Sequence, residues 1–183
     1  MIQVRLAHTE ADLMGIKKLQ LSNHPSHLSS SEKNSQGFVT CPYSVDDLRH
    51  MNTPYPHIIA KSDDTVVGYC LVMLKDHSHI MPVLHPMFEL FSKLEVHGKP
   101  ISQMYYFVMG QICIDKAHRG TSVFYNMYQH LRDQMDANFD IVITEISALN
   151  KRSLRAHEKQ GFKALKEYTA PNGHPWVIVY WEW

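Results

Sequence analysis

The stretch from Met104 to Met135 constrains the fold most strongly, because its hydrophobic pattern changes once along its length. The run "MYYFVMGQICI" is nearly all apolar, which is typical of a buried strand. In "TSVFYNMYQHLRDQM" the apolar residues recur at three- and four-residue spacing, which is typical of a helix that packs one face on a sheet. The polar turn "DKAHRG" separates the two patterns. A strand that leads into an amphipathic helix predicts an α/β fold.

The other segments extend this pattern toward both ends of the chain. "IQVRLA" alternates like a strand, and Thr9 with Asp12 forms a variant of the capping box before a first helix. Ser44 is the expected N-cap of a second helix. "HIIAKS" and "TVVGYCLVMLK" predict a hairpin, in which Gly68 marks a bulge or close backbone packing. "FDIVITEIS", "FKALKEYTA" and "PWVIVYWEW" predict three more strands, with a helix from about Asn150 to Gln160 after the first of them.

Length and charge limit the class of protein. The chain has 183 residues, which favours one domain over residues 1–183 with one substantial core. Lysine plus arginine and aspartate plus glutamate each total 18, so there is no excess charge to attract nucleic acid or an anionic membrane. Three cysteines without CxxC spacing fit free thiols in a reducing cytosol. We therefore expect a cytoplasmic protein with no nucleic-acid or membrane partner.

Two polar stretches are expected to be loops. "SNHPSHLSSSEKNSQG" is rich in serine and predicts a mobile loop. "HSHIMPVLHP" clusters His77, His79 and His85, but it has no HxxxH spacing and no nearby acidic ligand. A polar surface loop is therefore favoured there over a metal site, and no metal is expected in the protein.

The turn before the long helix has features of a phosphate site. The first turn of that helix lies near Thr121, and the first N–H groups of a helix have no partner inside it. Arg119 adds a charged donor, and Gly120 lets the backbone come close to a ligand. An ordinary strand-to-helix turn with a surface arginine stays open as the alternative.

A second stretch, "ITEISALNKRSLRAHEKQGFKALKEY", stands at the right distance after "ICIDKAHRGTSVF". Together the two stretches resemble the GNAT superfamily of acetyl-CoA-dependent N-acetyltransferases, whose members have an Arg-Gly turn, a helix, a strand, an Asn, a further helix and a Gly-Phe pair. The matching positions are Ile114, Arg119, Gly120, Asn150, Ser153, Gly161 and Phe162. The order of elements agrees over nearly the whole chain. The resemblance implies a GNAT-like α/β fold with a mixed, mostly antiparallel central sheet of six to seven strands flanked by about four helices.

This sequence departs from the family pattern at three positions. Ser122 and Phe124 stand where the family usually has glycines, and His157 stands where it often has a catalytic tyrosine. Backbone amides are present at serine and phenylalanine too, so a helical turn keeps its donors. The side chain of Phe124 must point toward the sheet if a pyrophosphate is to approach.

The resemblance implies residues that bind acetyl-CoA. The pyrophosphate would lie on the backbone of Arg119, Gly120, Thr121, Ser122, Val123 and Phe124. The pantetheine arm would pair like an extra strand with Ile112, Cys113 and Ile114, where neighbouring strands separate at a bulge supplied by Gly110. Asn150 would bond the arm, and Ser153 lies one turn further on the same helix face.

The resemblance also implies catalytic residues. An amine is mostly protonated at neutral pH, so a base must remove a proton first. Glu145 is the candidate base, because it precedes His157 by the twelve residues that separate a glutamate from the catalytic tyrosine in members that acetylate protein N-termini. An outward-facing Glu145 is the alternative. His157 is the candidate acid for the thiolate, partly charged near neutral pH; otherwise it only packs beside the sulfur while solvent supplies the proton.

Other groups of the central strand are also candidates for roles in acetyl transfer. Gln111 and Tyr106 are rivals for positioning the amine, and a backbone amide near Ile114 is a candidate donor to the thioester oxygen. Cys113 is interpreted as a core thiol rather than as an acetylated nucleophile.

The sequence allows several kinds of acceptor amine. The stretches expected to line its site are poor in carboxylates, so they offer no trap for a polyamine. A small amine, an amino acid or a peptide N-terminus fits. A non-catalytic acyl-CoA-binding or regulatory module is the competing class, and an enzyme that uses another nucleotide is a third. The apolar final strand "WVIVYWEW" suggests pairing in a homodimer.

Overall fold

A computed structural model of the protein describes residues 1–24, 41–80 and 82–183. One sheet has seven strands: β1 (Ile2–Leu6), β2 (Ile58–Ser62), β3 (Thr65–Met73), β6 (Tyr106–Ile114), β7 (Ile141–Ser147), β8 (Lys163–Thr169) and β9 (Pro175–Glu182). A separate two-stranded pair consists of β4 (Glu95–Val96) and β5 (Lys99–Pro100). The described residues form five α-helices: α1 (Glu10–Ser22), α2 (Val45–Met51), α3 (His85–Phe91), α4 (Val123–Met135) and α5 (Lys151–Gln160).

The strand order of the large sheet is β1-β2-β3-β6-β7-β9-β8. Every neighbouring pair is antiparallel except β6 and β7, which run parallel. The predicted class, a mixed and mostly antiparallel sheet in an α/β fold, is confirmed. Part of the predicted loop at 22–37 lies outside the described residues.

Helices cover both faces of the sheet. One buried cluster joins α1, α2 and α3 to one face, with Ile16, Leu48 and Phe91 fully buried. The other cluster joins α4 to the opposite face through Met127 and Leu131. The amphipathic pattern that predicted α4 therefore corresponds to a helix packed on the sheet.

The local signals for helix starts were predicted correctly. Thr9 and Asp12 form a reciprocal capping box at α1, and Ser44 does the same with Asp47 at α2. Asp12 also accepts two hydrogen bonds from Arg5, at 2.6 and 2.9 Å, and its side chain is only 1% exposed. The pair joins β1 to the beginning of α1.

Two glycines act where the sequence analysis placed them. A Cβ at Gly68 would lie 3.0 Å from the Sδ atom of Met127, so the glycine allows α4 to pack closely on β3. On β6, Gln111 faces Leu71 and Met109 faces Val72, so Gly110 is the extra residue of a bulge. The predicted bulge at Gly110 is confirmed.

Other expectations were wrong. β9 is hydrogen-bonded to β7 on one side and to β8 on the other, so its edges are already used and it cannot pair with a second copy as suggested. The helix α3, with Met87, Phe88 and Phe91 buried, was not predicted; it begins at the end of the stretch 77–86, whose earlier described residues form short 3-10 turns.

Candidate active site

The strands β6 and β7 separate after three residues of pairing. Tyr106, Phe107 and Val108 face Ile141, Val142 and Ile143, and both strands then continue without facing each other. The bulge at Gly110 bends β6 at this point. A cavity of about 590 Å³ opens there, between the two strand ends. The cavity is lined by site residues that sequence analysis named, which are Ile112, Glu145, Asn150, Ser153 and His157.

The N-cap residue of α4, Ser122, makes no side-chain capping bond, and the N–H of Val123 has only a long bond of 3.4 Å to Oγ1 of Thr121. The first turn of the helix contains no acidic residue. Gly120 adopts a φ of 80°, and a Cβ on it would meet nothing within 4 Å. The turn therefore leaves backbone donors and space for an anion, as a phosphate site requires.

Arg119 is only half-buried, but its guanidinium is turned toward the protein. Its Nε donates to the carbonyl of Ile114 at 2.9 Å, and its Nη2 donates to Oδ1 of Asn23. Asn23 caps the end of α1 and donates in turn to the carbonyl of Leu19. Arg119 therefore fixes the turn against α1, which the sequence analysis did not foresee.

A second arginine stands near this turn. Burial lowers the pKa of Arg119, and the positive charge of Arg152 acts in the same direction. Arg152 lies in the first turn of α5, directly after Asn150 and Lys151. Two guanidinium groups close enough to repel each other favour an anion beside them. The sequence analysis missed Arg152, although its place next to the Asn of the motif was visible.

Phe124 satisfies the condition set for it. Its ring lies 5.0 Å from the ring of Tyr128 and 5.2 Å from that of His157, measured between centroids. It packs against the cluster between α4 and the sheet. The side chain thus points away from the N-terminal turn of α4, and the backbone there stays accessible.

Asn150 and Ser153 stand at the beginning of α5. Asn150 is the N-cap, and its Oδ1 accepts a hydrogen bond of 3.1 Å from the backbone N–H of Ser153. The Nδ2 group is the donor that this side chain has left for a ligand in the cavity. Gly161 ends the helix at a φ of 110°, and the Gly-Phe pair of the motif follows as expected.

His157 is buried, with 2% of its surface exposed. Its Nδ1 donates to the carbonyl of Ser153 at 2.8 Å, and its Nε2 accepts from the hydroxyl of Tyr128 at 2.7 Å. Burial lowers the pKa of His157 to about 4, and the bond to Ser153 only partly opposes this. The expected partial charge at neutral pH is wrong, because the imidazole is neutral there.

The partner of His157 was not found from the sequence. Tyr128 is fully buried on α4, and its ring contacts Phe162 and Trp181 as well as His157. The helical pattern marked its neighbours Phe124 and Met127 as inward-facing, so an aromatic hydroxyl in the same stripe was the available signal. Both nitrogens of His157 are used inside the protein.

Glu145 points into the cavity from β7 and is half-buried. The hydroxyl of Tyr168, on β8, donates a hydrogen bond to its Oε2. Burial raises the pKa of Glu145, and the bond from Tyr168 offsets part of this effect. A carboxylate with a raised pKa is a stronger base than one in water. Tyr168 was not named by the sequence analysis.

The rivals for the amine have other tasks. Gln111 accepts from the hydroxyl of Tyr69 at 2.6 Å and from Nε2 of Gln20 at 2.9 Å. It donates to the carbonyl of Cys41 at 2.8 Å, so it ties the acceptor side of the cavity to α1 and β3. Tyr106 lies near the start of β6, buried and away from the cavity lining.

Cys113 is a buried thiol on the same strand, 6% exposed. Burial raises the pKa of its thiol to about 12, with Arg119 opposing this shift only in part. A protonated thiol is a poor nucleophile. This agrees with the interpretation of Cys113 as a core residue.

Residues 21–162 match the model of the Acetyltransferase (GNAT) family. The chain belongs to the GNAT family. It is therefore an acetyltransferase, and acetyl-CoA is its co-substrate. The splayed strands and the uncapped turn of α4 fit a long acyl carrier with a pyrophosphate, since they offer free backbone groups and a site for an anion.

Solved GNAT structures share the fold over the whole length. The ribosomal-protein-S18-alanine N-acetyltransferase from Escherichia coli is 12% identical with a TM-score of 0.64, covering 100% of this chain and 94% of that one. The NatC complex bound to Gag peptide and CoA gives 15% identity and a TM-score of 0.67, with 100% and 98% covered. The yncA protein from Salmonella typhimurium, solved with its cofactor acetyl-CoA, gives 13% and 0.65, with 100% and 94% covered. A comparison with curated proteins gave no significant match.

Metal sites and membrane-spanning helices are two further features to consider in this GNAT chain. In residues 1–24, 41–80 and 82–183, no group of three or more His, Cys, Asp or Glu side chains is arranged to hold a metal ion. Within the same ranges, no helix has both the length and the apolar character that crossing a bilayer requires.

Proposed function

We propose that this acetyltransferase moves the acetyl group of acetyl-CoA directly to a primary amine, with Glu145 as the base. The observation that carries the proposal is the position of Glu145. It lies in the cavity where β6 and β7 separate, half-buried and hydrogen-bonded to Tyr168. The amine belongs to a small molecule, an amino acid or a peptide N-terminus, all of which the carboxylate-poor lining allows.

The protein residues would act in a fixed order. Glu145, whose pKa is raised by burial, takes a proton from the ammonium form of the acceptor. The neutral nitrogen attacks the thioester carbonyl, so that a C–N bond forms and the C–S bond breaks. A backbone N–H on the side of β6 that faces β7 stabilises the carbonyl oxygen as its charge grows. As the C–S bond breaks, the nitrogen gives up its second proton to solvent, and the departing thiolate takes up one proton from solvent.

His157 keeps its place in the proposal with a different task. Its two nitrogens are bonded to Ser153 and Tyr128, and it is neutral at pH 7. It therefore packs beside the reacting sulfur and holds Tyr128 in place, while solvent protonates the thiolate. His157→Phe should reduce kcat far less than loss of Glu145 does.

Binding of the co-substrate is assigned to three groups of residues. The pyrophosphate lies on the backbone from Arg119 to Phe124, the arm pairs with the stretch from Ile112 to Ile114, and Asn150 and Ser153 contact the arm from α5. The uncapped α4 and the inward-facing Phe124 support this assignment. A single domain over 183 residues and a cytoplasmic location complete the proposal, and the buried free thiols of Cys70 and Cys113 fit a reducing compartment.

Thiol release from acetyl-CoA across a panel of amines tests the proposal, together with calorimetric binding of coenzyme A. Glu145→Gln should lower acceptor-dependent release by about 10²- to 10⁴-fold and leave coenzyme A binding unchanged. Glu167→Gln removes an exposed carboxylate from β8 and serves as the control. Binding of coenzyme A with no release from any amine would instead favour a non-catalytic acyl-CoA-binding module.

A further inference from the structure

We infer that the acceptor is a primary amine whose substituent is uncharged and largely apolar, and that a free amino acid or a polyamine is a poor substrate. The inference rests on the proposed function and narrows its range of acceptors. It follows from what surrounds the amine position at Glu145. Three parts of the cavity contribute: an apolar wall on each side, the charges of the lining, and a polar rim that forms hydrogen bonds.

One wall of the cavity comes from the beginning of α3. Leu84, Pro86 and Met87 line it, and Val108 of β6 lies at its base. These side chains contain no ionisable group. Met87 is unbranched and polarisable, so it adapts to substituents of different shape. An alkyl or aromatic substituent that enters here loses contact with water, and this burial of apolar surface stabilises the complex.

The opposite wall comes from the hairpin of β8 and β9. Tyr168, Ala170 and Trp176 line the cavity from this side. The ring of Trp176 packs against the ring of His174, with centroids 4.8 Å apart. The acceptor substituent is therefore held between an aliphatic wall and an aromatic one.

The charges of the lining exclude two other classes of amine. Among the described residues that line the cavity, Glu145 is the only carboxylate, and none is a lysine or arginine. A free amino acid would bring its carboxylate into a lining whose described residues include no lysine or arginine to pair with it, and an unpaired charge is costly to bury. A polyamine would bring a second ammonium group, although Glu145 already serves the first.

The nearest lysine of α1 does not change this balance. The ammonium of Lys17 donates to the carbonyl of Tyr43 at 2.6 Å and to Oε1 of Gln20 at 3.3 Å. Tyr43 itself lines the cavity, with 1% of its surface exposed. Lys17 therefore supports the lining residue Tyr43 from behind and does not itself line the cavity.

The rim has polar side chains that donate and accept hydrogen bonds. Nε2 of His174 and the hydroxyl of Ser147 are hydrogen-bonded at 2.8 Å, and Asn172 stands beside them in the turn of the hairpin. Gly173 adopts a φ of 82°, which lets this tight turn bring His174 over the end of β7. Such groups can bond an amide of the acceptor. An amide that replaces the carboxylate of an amino acid is thus accommodated.

Matched acceptors test the inference by kcat/KM in the thiol-release assay. 3-Methylbutylamine has the side chain of leucine without its carboxylate, and it should exceed leucine by about tenfold or more. Its amine is more basic than that of leucine, so ionisation biases the result against the expectation. Leucinamide should exceed glycinamide by a similar factor, and norleucinamide should exceed lysinamide.

Two neighbouring variants test directly whether an arginine added to the lining lets the cavity accept a carboxylate. Pro86 and His85 are both exposed at the beginning of α3, but only Pro86 lines the cavity. Pro86→Arg should raise kcat/KM for leucine relative to 3-methylbutylamine by about tenfold. His85→Arg should leave the ratio as in the wild type.

The outcomes separate the two proposals. If leucine or lysinamide reacts as well as its neutral partner, the inference about the acceptor is wrong while the acetyltransferase remains. Equal ratios in Pro86→Arg and His85→Arg would also count against it. If coenzyme A binds and no amine of the panel is acetylated, the proposed function fails and the inference fails with it.

Discussion

The N-termini of α1 and α4 differ in how their backbone donors are used. At α1, Thr9 and Asp12 cap the helix, and Arg5 pairs with Asp12 behind it. Helix α4 is also 13 residues long, but the serine at its N-cap makes no capping bond and its first turn contains no acidic residue. One helix end is therefore completed by the protein, and the other is left for a ligand.

The difference shows how one physical property serves two purposes. The first N–H groups of any helix lack partners within it and carry partial positive charge. A carboxylate from the chain uses them for stability, as Asp12 does. An anion from outside would use them for binding, and then the protein has to forgo the stability of a cap. Exchanging the two arrangements by mutation gives measurable consequences.

The largest effect is expected at Asp12. Asp12→Asn removes the charge that Arg5 and the helix end share, so the free energy of unfolding should fall by about 3 kcal/mol. Urea unfolding measures this value, and calorimetry at a temperature where both proteins are folded should give the same affinity for coenzyme A. Asp133→Asn, an exposed change on α4, is the control and should cost less than about 0.5 kcal/mol. A large loss of affinity in Asp12→Asn would mean that the two helix ends are not independent.

Acid should remove the same contribution. Burial opposes ionisation of Asp12, but the hydrogen bonds from Arg5 and from the N–H groups of His8 and Thr9 hold its pKa well below the usual range. Because the folded pKa is lowered, its contribution is complete above the unfolded pKa of about 3.9 and is lost as the pH falls below it. The stability difference between wild type and Asp12→Asn should shrink by about 1 kcal/mol between pH 6 and pH 3. A difference that stays constant would show that the charge of Asp12 contributes little.

Giving α4 an internal anion should reverse its role. Ser122→Asp places a carboxylate at the N-cap, where it should repel the pyrophosphate and lower the affinity for coenzyme A by about tenfold, which is about 1.4 kcal/mol. The melting temperature without ligand should stay the same or rise. Ser122→Asn offers a cap without charge and should retain most of the affinity. If both variants bind like the wild type, the pyrophosphate does not lie on this turn.

Alanine at the two N-caps should give the smallest effects and the clearest contrast. Thr9→Ala removes the hydroxyl oxygen that accepts a hydrogen bond of 3.2 Å from the N–H of Asp12. The free energy of unfolding should fall by about 1 kcal/mol. Ser122→Ala removes no capping bond and should cost less than about 0.5 kcal/mol. Thermal unfolding of both variants measures the difference. Similar losses would show that the serine hydroxyl caps α4 in solution.

Local signals in the sequence were sufficient for much of the fold and of the site. The capping boxes at Thr9 and Ser44 depend only on neighbours three residues apart; the box at Thr9 was predicted, and at Ser44 the N-cap was predicted without its partner Asp47. The bulge at Gly110 and the position of Asn150 were predicted from the spacing of the family motif. These features depend on residues that are close along the chain.

Features that depend on distant residues could not be predicted in this way. Arg119 turns inward because Asn23, 96 residues earlier, accepts a bond from its guanidinium. His157 is neutral because the fold buries it between α4 and the sheet, against Tyr128 and Phe162. β9 was expected at an edge because strand order is not visible in a strand's own sequence. The hydrogen bond from Tyr168 to Glu145 likewise joins strands β8 and β7, which are not neighbours in the sheet.

The short pairing of β6 and β7 divides the sheet into two leaves, one of four strands and one of three. Three facing residue pairs join the leaves at one end, and at the other end no strand of residues 1–24, 41–80 or 82–183 lies between the two edges. A ligand whose amide groups form hydrogen bonds to both edges would connect the two leaves where the strands do not pair. Hydrogen–deuterium exchange would then slow along the far halves of both strands in the bound protein. Release of coenzyme A and loosening of the sheet would be one event.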